Sequence, residues 1–309
     1  MQKPLISVCI PTYNRPVEIQ EAIESVIVQL DDETRSLVEI VVSHDPGAEN
    51  EAEVQKVLQE MVKKYDTVRY FKNEKNMRFS NGLIANEHAT GEYLMPLSDD
   101  DYLTEFSISY LLEIIEKTNF DFLLHKAVFT PDVHIPIIST PNTYSVYQWA
   151  KDYIKGLATQ YSEYKDLISY FSFNSIMVIK ASYRNESYNS LDKETVYRNE
   201  FPQEFPPYYD LKDKTIVLVD SSFVKGRIIN ASYYGTTKLV KDFKITMDFI
   251  ENQNDLGELS ERKKIKKICI GGWSRTMYLG ILLHKLNLDY KKKGVVRWLY
   301  FFYKKYLQK

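Results

Sequence analysis

The chain has 309 residues, a formal net charge of −2 at pH 7 and 44% hydrophobic residues, with only 11 Gly and 11 Pro. This composition excludes disordered, collagen-like and disulfide-rich proteins and leaves a globular protein with a substantial core. Cys9 and Cys269 lie far apart and form no zinc-ligand pattern, so we expect a reducing compartment. The first residues do not have the pattern of a signal peptide. No apolar run is as long as the roughly 18 residues that a membrane span needs, so we expect no membrane-spanning helix.

Short apolar runs alternate with helical patterns through the first third of the chain. The short runs are rich in β-branched residues, as in buried parallel strands, and the longer ones repeat apolar residues at helical spacing. The predicted strands are Leu5–Pro11, Val38–Ser43, Val68–Asn73, Glu92–Ser98 and Phe120–His125. The predicted helices are Pro16–Leu30, Glu51–Tyr65, Asn81–Ala89 and Phe106–Thr118. This alternation predicts an α/β protein with a doubly wound, mostly parallel sheet.

The alternation weakens in the second half of the chain. Two further strands are predicted at Ser172–Ala181 and Lys214–Phe223, separated by an aromatic and acidic loop, Tyr183–Asp213. From about residue 226 the pattern becomes helical and basic. We therefore predict one domain over residues 1–225 and a C-terminal helical basic extension over residues 226–309.

The end of this extension is strongly basic. Residues 260–309 contain 14 Lys or Arg against 2 acids, and Trp298–Tyr303 is a block of aromatic and apolar residues. Such helices can lie in an anionic membrane interface with their lysines among the headgroups. Alternatively, they pack on the domain or form a homo-oligomer. A nucleic-acid-binding module would also be basic, but no DNA- or RNA-binding motif is present, so we expect no nucleic acid as a partner.

Three consecutive carboxylates follow the strand Glu92–Ser98. Asp99, Asp100 and Asp101 cannot all ionise cheaply without a counter-charge. Hard oxygen ligands of this kind suit Mg²⁺ or Mn²⁺, with coordination positions left for water and phosphate. The alternative is a helix N-terminus, in which Asp101 or Thr104 caps the helix that follows.

Polar motifs also end two other predicted strands, and in parallel sheets such ends form the ligand-binding edge. The first strand ends in Thr12-Tyr13-Asn14 and the second in His44-Asp45. Together "PTYNRP", "SHD" and "SDDD" resemble the motifs of family 2 glycosyltransferases, which have the GT-A nucleotide-sugar-binding fold, over roughly residues 4–225. A glycine-rich dinucleotide fingerprint is absent.

The resemblance implies an inverting transferase of bacterial surface polysaccharide synthesis, cytoplasmic and peripheral on the cytoplasmic face of the membrane. Its donor would be a nucleotide-diphosphate sugar, most commonly of UDP, its acceptor a glycan or lipid-linked glycan, and its cofactor Mn²⁺ or Mg²⁺. Two other interpretations stay open: a sugar nucleotidyltransferase, and a non-catalytic GT-A-like scaffolding or binding protein.

The resemblance also assigns roles to individual residues. Tyr13 would lie near the base, Asp45 would accept a hydrogen bond from the base, and Asp99 would lie by the ribose. The family motif commonly begins with Asp where this chain has Ser98, so the later acids take over the metal. The nucleotide-sugar-binding residues implied are Pro11, Thr12, Tyr13, Asn14, Asp45, Arg78 and Asp99, and the metal ligands are Asp100 and Asp101. Asp45 as a turn residue and Arg78 as a solvated loop residue are the alternatives.

Inversion requires a general base that takes the proton of the acceptor hydroxyl. The family usually supplies it from a Glu-Asp pair before a late strand, and this chain has no such pair. The candidates are Glu204, Glu200 and Asp192. Glu204 is preferred because it lies about ten residues before the predicted strand Lys214–Phe223, although each acid could equally be a surface loop residue.

Overall fold

The computed structural model describes residues 3–130, 174–190 and 215–227, together with 133–134, 142–145, 192, 194, 260 and 263. The strands in these residues are β1 (Ile6–Thr12), β2 (Val38–His44), β3 (Val68–Lys72), β4 (Tyr93–Pro96), β5 (Tyr102–Leu103), β6 (Phe122–Thr130), β7 (Val133–His134), β8 (Asn142–Ser145), β9 (Met177–Lys180) and β10 (Thr215–Arg227). The α-helices are α1 (Pro16–Ile27), α2 (Glu51–Lys64), α3 (Asn81–His88), α4 (Ser107–Lys117) and α5 (Ala181–Asn189). Within these ranges, no helix is long and apolar enough to cross a bilayer.

The first four strands form a parallel half-sheet in the order β3-β2-β1-β4. β1 and β2 are buried along almost their whole length, because α3 packs on them and amphipathic helices cover the sheet. The apolar stripe of α1 is buried at Ile19, Ala22, Ile23, Val26 and Ile27. The predicted α/β fold with a mostly parallel sheet is confirmed over the described residues.

The second half-sheet continues from β4 in the order β9-β6-β10-β5. β9 is antiparallel to both of its neighbours, whereas β10 is parallel to β6. The short strand β5 pairs with β10 through Leu103 and Val224. The acidic triplet therefore lies in a short link between two strands of the same sheet, which holds both ends of the link.

The predicted loop Tyr183–Asp213 is wrong at its beginning, because α5 occupies Ala181–Asn189. This helix lacks an apolar stripe: its buried side chains are Tyr183, Arg184 and Ser187. Arg184 instead donates a hydrogen bond to the main-chain carbonyl of Leu83 on α3, at 3.3 Å. Tyr183 joins the hydrophobic core and Arg184 bonds to α3, but these residues form no apolar repeat, so apolar periodicity could not reveal the helix. Most of the remaining predicted loop and of residues 226–309 lies outside the described residues.

A buried carboxylate links the parallel strands at their amino-terminal ends, opposite the ends that carry the triplet. Glu39 on β2 is 7% exposed and accepts hydrogen bonds from Ser7 Oγ on β1 at 2.6 Å and from the main-chain N–H of Thr90 at 2.5 Å. Arg69 on β3 donates to it at 2.7 Å, and the Gly91 N–H donates to Ser7 Oγ at 2.8 Å. This cluster connects β1, β2, β3 and the entry to β4, and so helps to set the register of the ligand-binding edge.

Candidate functional site

The ends of β1 and β4 meet through Asp99. Thr12 Oγ1 donates a hydrogen bond to Asp99 Oδ2 at 2.8 Å, and Arg15 Nη1 donates to Asp99 Oδ1 at 2.6 Å. The same arginine nitrogen lies 3.0 Å from Asp100 Oδ2. Burial raises the pKa of Asp99, and the neighbouring charge of Asp100 adds to the rise, whereas Arg15 and Thr12 oppose it. The guanidinium is thus the counter-charge for two acids of the triplet.

The third acid of the triplet, Asp101, is bonded to a residue from a remote part of the chain. Asp101 is 2% exposed, and its Oδ2 accepts a hydrogen bond from Ser175 Oγ at 2.6 Å. Ser175 Oγ in turn accepts one from the Ser98 N–H at 2.9 Å. The helix-capping alternative is not supported, because α4 begins only at Ser107, and its N-cap residue, Phe106, makes no side-chain capping bond. The geometry favours a role for Asp101 in holding the link between β4 and β5.

Asp45, at the end of β2, organises the loop that follows β3. Its Oδ1 accepts a hydrogen bond from Asn73 Nδ2, and its Oδ2 accepts one from the Arg78 N–H, each at 2.8 Å. Its own N–H donates to the Thr12 carbonyl at 3.0 Å, which joins this loop to the end of β1. Asn81 Nδ2 donates to the same carbonyl at 3.0 Å. Asp45 is therefore a buried residue of the site and not a solvated turn residue.

Arg78 has an unusual backbone conformation. Its φ of 57° is in the left-handed region, which costs a residue with a side chain about 1 kcal/mol and is normally occupied by Gly or Asn. The hydrogen bond from its N–H to Asp45 helps to hold this conformation. Backbone strain of this kind clusters at ligand-binding sites. The Arg78 side chain is thus exposed on a loop whose backbone is held by the buried carboxylate of Asp45.

The remaining residues after β1 line the same edge. Tyr13 is 40% exposed, and its hydroxyl donates a hydrogen bond to the Gly47 carbonyl at 3.1 Å. The exposed Asn14 accepts one from the Asn50 N–H, in front of α2, at 3.0 Å. Pro11 lines a cleft that also reaches Ser98. All seven residues that the sequence predicted for nucleotide-sugar binding lie along the carboxyl ends of β1 to β4, as expected for neighbouring parallel strands.

The donor set fits a divalent cation that is shared with a diphosphate. Within the described residues, no group of three His, Cys, Asp or Glu side chains is arranged to hold a metal. Asp99 accepts hydrogen bonds from Thr12 and Arg15, whereas the Asp100 side chain is 18% exposed and forms an ion pair with Arg15. Mg²⁺ and Mn²⁺ are commonly held by one or two carboxylates plus substrate phosphates and water. Asp100 could supply that carboxylate.

The predicted catalytic acids have no geometry that assigns a role. Asp192 is exposed, whereas Glu200 and Glu204 lie outside the described residues. The sequence motifs assign no role to Arg15, Asn73, Asn81 or Ser175. Arg15 stands inside the quoted motif "PTYNRP", so its position beside the acids was the available signal. The two asparagines and the serine carry no pattern that marks them.

Comparison with known proteins identifies the family of the chain. The family model described as Glycosyl transferase family 2 matches residues 7–183, which is more than half of the chain. A GalNAc(5)-diNAcBac-PP-undecaprenol beta-1,3-glucosyltransferase of Campylobacter jejuni is 34% identical over 112 residues, covering 36% of this chain and 34% of that protein. An uncharacterized glycosyltransferase of Rickettsia felis is 36% identical over 119 residues, covering 38% of this chain and 18% of that protein. The match thus spans about a third of the length of the first of these curated relatives and less than a fifth of the second.

Solved structures show the same fold at lower identity. The crystal structure of S. aureus TarS 1-349 superposes with a TM-score of 0.63 at 16% identity, covering 87% of this chain and 71% of that one. The same protein in complex with UDP-GlcNAc gives a TM-score of 0.64 at 15% identity, covering 87% and 72%. These similarities establish the GT-A fold. With that fold and a family match over more than half of its length, the chain belongs to glycosyl transferase family 2.

Proposed function

We propose that this chain is a metal-dependent inverting glycosyltransferase that moves a sugar from a UDP-sugar to a lipid-linked glycan in bacterial surface polysaccharide synthesis. The observation that carries the proposal is the edge formed by β1, β2 and β4, where Thr12, Asp45 and Asp99 are hydrogen-bonded within one network and the Asp100 side chain remains partly exposed. The UDP and UDP-GlcNAc complexes of TarS support a uridine nucleotide, and the undecaprenol-linked acceptor of the C. jejuni relative supports the acceptor class.

In this proposal, the nucleoside binds along the ends of β1 and β2. Asp45 accepts a hydrogen bond from the base, using lone pairs that its bonds to Asn73 and the Arg78 N–H leave available. Pro11, Tyr13 and Asn14 line this part of the edge, and Arg78 contacts the base or the diphosphate. The network fixes these groups before the nucleotide arrives, which reduces the ordering cost of binding.

The diphosphate lies near the triplet. Asp99 would contact the ribose and Asp100 would hold Mn²⁺ or Mg²⁺ near the phosphates, while Asp101, bonded to Ser175, would hold the link that positions Asp100. A bound divalent cation stabilises the negative charge that develops on the leaving diphosphate, so no general acid is needed there. The acceptor hydroxyl requires a base on the opposite side. Glu204 is proposed for this role, with Glu200 and Asp192 as the other candidates.

A thermal-shift panel of nucleoside diphosphates tests the site. We expect UDP with Mn²⁺ to raise the melting temperature by about 5 °C at a hundredfold excess over its Kd, because binding stabilises the folded state by about 2.7 kcal/mol. UDP alone should give a smaller shift, and ADP and GDP with Mn²⁺ little or none. No shift with any nucleoside diphosphate would contradict the proposal. Measuring UDP-sugar hydrolysis in the same samples distinguishes an enzyme from a non-catalytic scaffold.

The strained backbone at Arg78 allows a clean test of its side chain. Glycine is unstrained at a φ of 57°, but it also gives the unfolded chain more freedom, and these two effects oppose each other. The free energy of unfolding of Arg78→Gly, measured by denaturant titration, should therefore differ from that of the wild type by less than about 0.5 kcal/mol. UDP affinity should fall about tenfold, as expected for a lost charge-assisted contact. Arg78→Ala is the matched control, because it removes the same contact but keeps the strain. Unchanged UDP affinity in both variants would make Arg78 a solvated loop residue.

The basic extension completes the proposal. We assign residues 1–225 to catalysis and residues 226–309 to attachment at an anionic membrane surface on the cytoplasmic face, where a lipid-linked acceptor would be found. The charge of residues 260–309 supports this assignment. Packing on the domain or homo-oligomerisation is the alternative, and sedimentation with anionic and with neutral vesicles separates the two.

A further inference from the structure

We propose that Arg15 is a built-in counter-ion that competes with the divalent cation for Asp99 and Asp100, so that metal binds tightly only together with a diphosphate. This inference rests on the metal-dependent function proposed above, and it adds a residue to which no role has been assigned. In this proposal, the binding of a metal ion to the acidic triplet depends on the presence of the substrate.

The competition follows from one bridging nitrogen. Arg15 Nη1 lies 2.6 Å from Asp99 Oδ1 and 3.0 Å from Asp100 Oδ2, so a single donor holds both carboxylates towards the same point. A metal bound to the same oxygen of Asp100 would lie about 2.1 Å from it. The guanidinium would then be within a few ångströms of a divalent cation, and two positive charges at that distance repel strongly. Arg15 and the metal therefore cannot both use this position.

Burial strengthens the ion pair that the metal must displace. The Asp99 side chain is 8% exposed and that of Asp100 is 18% exposed, against 28% for Arg15. Carboxylates that are largely shielded from water need an oppositely charged partner to stabilise their charged form, and removing that partner is costly. A metal ion alone must replace that stabilisation while the Arg15 guanidinium gives up its ion pairs with both carboxylates. Metal without substrate should consequently bind weakly.

A diphosphate changes this balance. Arg15 follows directly on Tyr13 and Asn14, the predicted nucleotide-lining residues, and stands just before the first turn of α1. Its side chain is accessible enough to turn towards a phosphate group, and guanidinium binds phosphate oxygens with charge-assisted hydrogen bonds. Arg15 can then exchange carboxylates for phosphates while the metal takes Asp100. Metal and diphosphate thus favour each other's binding, and this coupling is reciprocal.

The test is a Mn²⁺ titration of the full chain, with free Mn²⁺ measured by electron paramagnetic resonance in the presence and absence of UDP. For the wild type we expect weak binding of Mn²⁺ alone and at least about tenfold tighter binding with UDP. In Arg15→Gln, Mn²⁺ alone should bind about threefold to tenfold tighter than to the wild type, because the ion pairs no longer have to be broken. The ratio of affinities with and without UDP should shrink.

Two further variants make the result specific. Arg35→Gln removes an exposed arginine from the turn before β2 and should leave both Mn²⁺ affinities unchanged. Arg15→Lys keeps the positive charge, so Mn²⁺ alone should bind nearly as weakly as to the wild type. If Arg15→Lys tightened Mn²⁺ binding as much as Arg15→Gln, lost packing and not lost charge would be responsible, and the inference would be overturned.

The same titration separates the counter-ion role of Arg15 from the metal-dependent function. If the wild type binds no Mn²⁺ even with UDP, the metal-dependent function is wrong. If the wild type binds Mn²⁺ with strong help from UDP, but Arg15→Gln binds Mn²⁺ alone no tighter, the function stands and the counter-ion role of Arg15 is rejected. Because the Arg15 side chain is partly exposed and lies before the first turn of α1, we expect both of its variants to fold, and a thermal melt of each tests this.

Discussion

Replacing Asp100 with alanine should lower sugar transfer or donor hydrolysis by at least about a hundredfold, the scale expected when a group that stabilises developing charge is lost. The free energy of unfolding should change little, because the loss of this carboxylate also removes its repulsion with Asp99, and Arg15 keeps its ion pair with Asp99. UDP should still bind, but addition of Mn²⁺ should no longer tighten its binding. Turnover, UDP affinity with and without Mn²⁺, and a denaturant titration measure these three quantities.

The neighbouring acid provides a control with the opposite expectation. Asp101 is buried and bonded to Ser175, so Asp101→Ala should lower the free energy of unfolding by about 1–3 kcal/mol, as expected when buried polar groups lose their partners. Asp32→Ala removes an exposed acid and should change neither activity nor stability. Full turnover by Asp100→Ala, with Mn²⁺ still required, would mean that the metal lies elsewhere.

The different behaviour expected within the triplet shows what the sequence could and could not predict. Three adjacent acids after a strand predicted that a counter-charge lies beside them. Their place in an alternating α/β pattern predicted that they lie at the ligand-binding edge of the sheet. Which acid faces the site depends on residues far away along the chain: Thr12 and Arg15 orient Asp99, and Ser175 orients Asp101. No local spacing encodes such pairings, because they arise only when strands remote in sequence are brought together.

Backbone conformation was equally inaccessible. In a sequence, Gly or Asn usually marks a position with left-handed backbone conformation, but here the residue in that conformation is an arginine. The helix α5 gave no apolar period, because it buries Arg184 and Ser187 beside Tyr183. In contrast, strands β1, β2 and β4 and helices α1 and α2 were predicted well, since long buried runs and regular apolar stripes leave few alternatives. Prediction failed where polar side chains carry the tertiary structure.

Glu39 is the strongest example of such a polar contact, and its loss should have the largest effect on stability. Glu39→Ala leaves the N–H groups of Thr90 and Gly91 without this acceptor and Ser7 without its carboxylate, all in buried or partly buried surroundings. We expect the free energy of unfolding to fall by about 2–4 kcal/mol. Chemical denaturation at pH 7 measures this change. Glu60→Ala, at an exposed position of α2, should alter stability by less than about 0.5 kcal/mol.

The pH dependence of this loss distinguishes a buried charge from simple packing. Burial raises the pKa of Glu39, but hydrogen bonds from Ser7, Thr90 and Arg69 outweigh it and hold the pKa below its ordinary value of 4.5. A carboxyl with a lowered folded-state pKa contributes stability above its unfolded pKa and loses that contribution as the pH falls through the folded value. The difference between wild type and Glu39→Ala should therefore be greatest at neutral pH and narrow below about pH 4. A difference independent of pH would mean that the glutamate acts by its volume alone, and that the register of the ligand-binding edge is set without its charge.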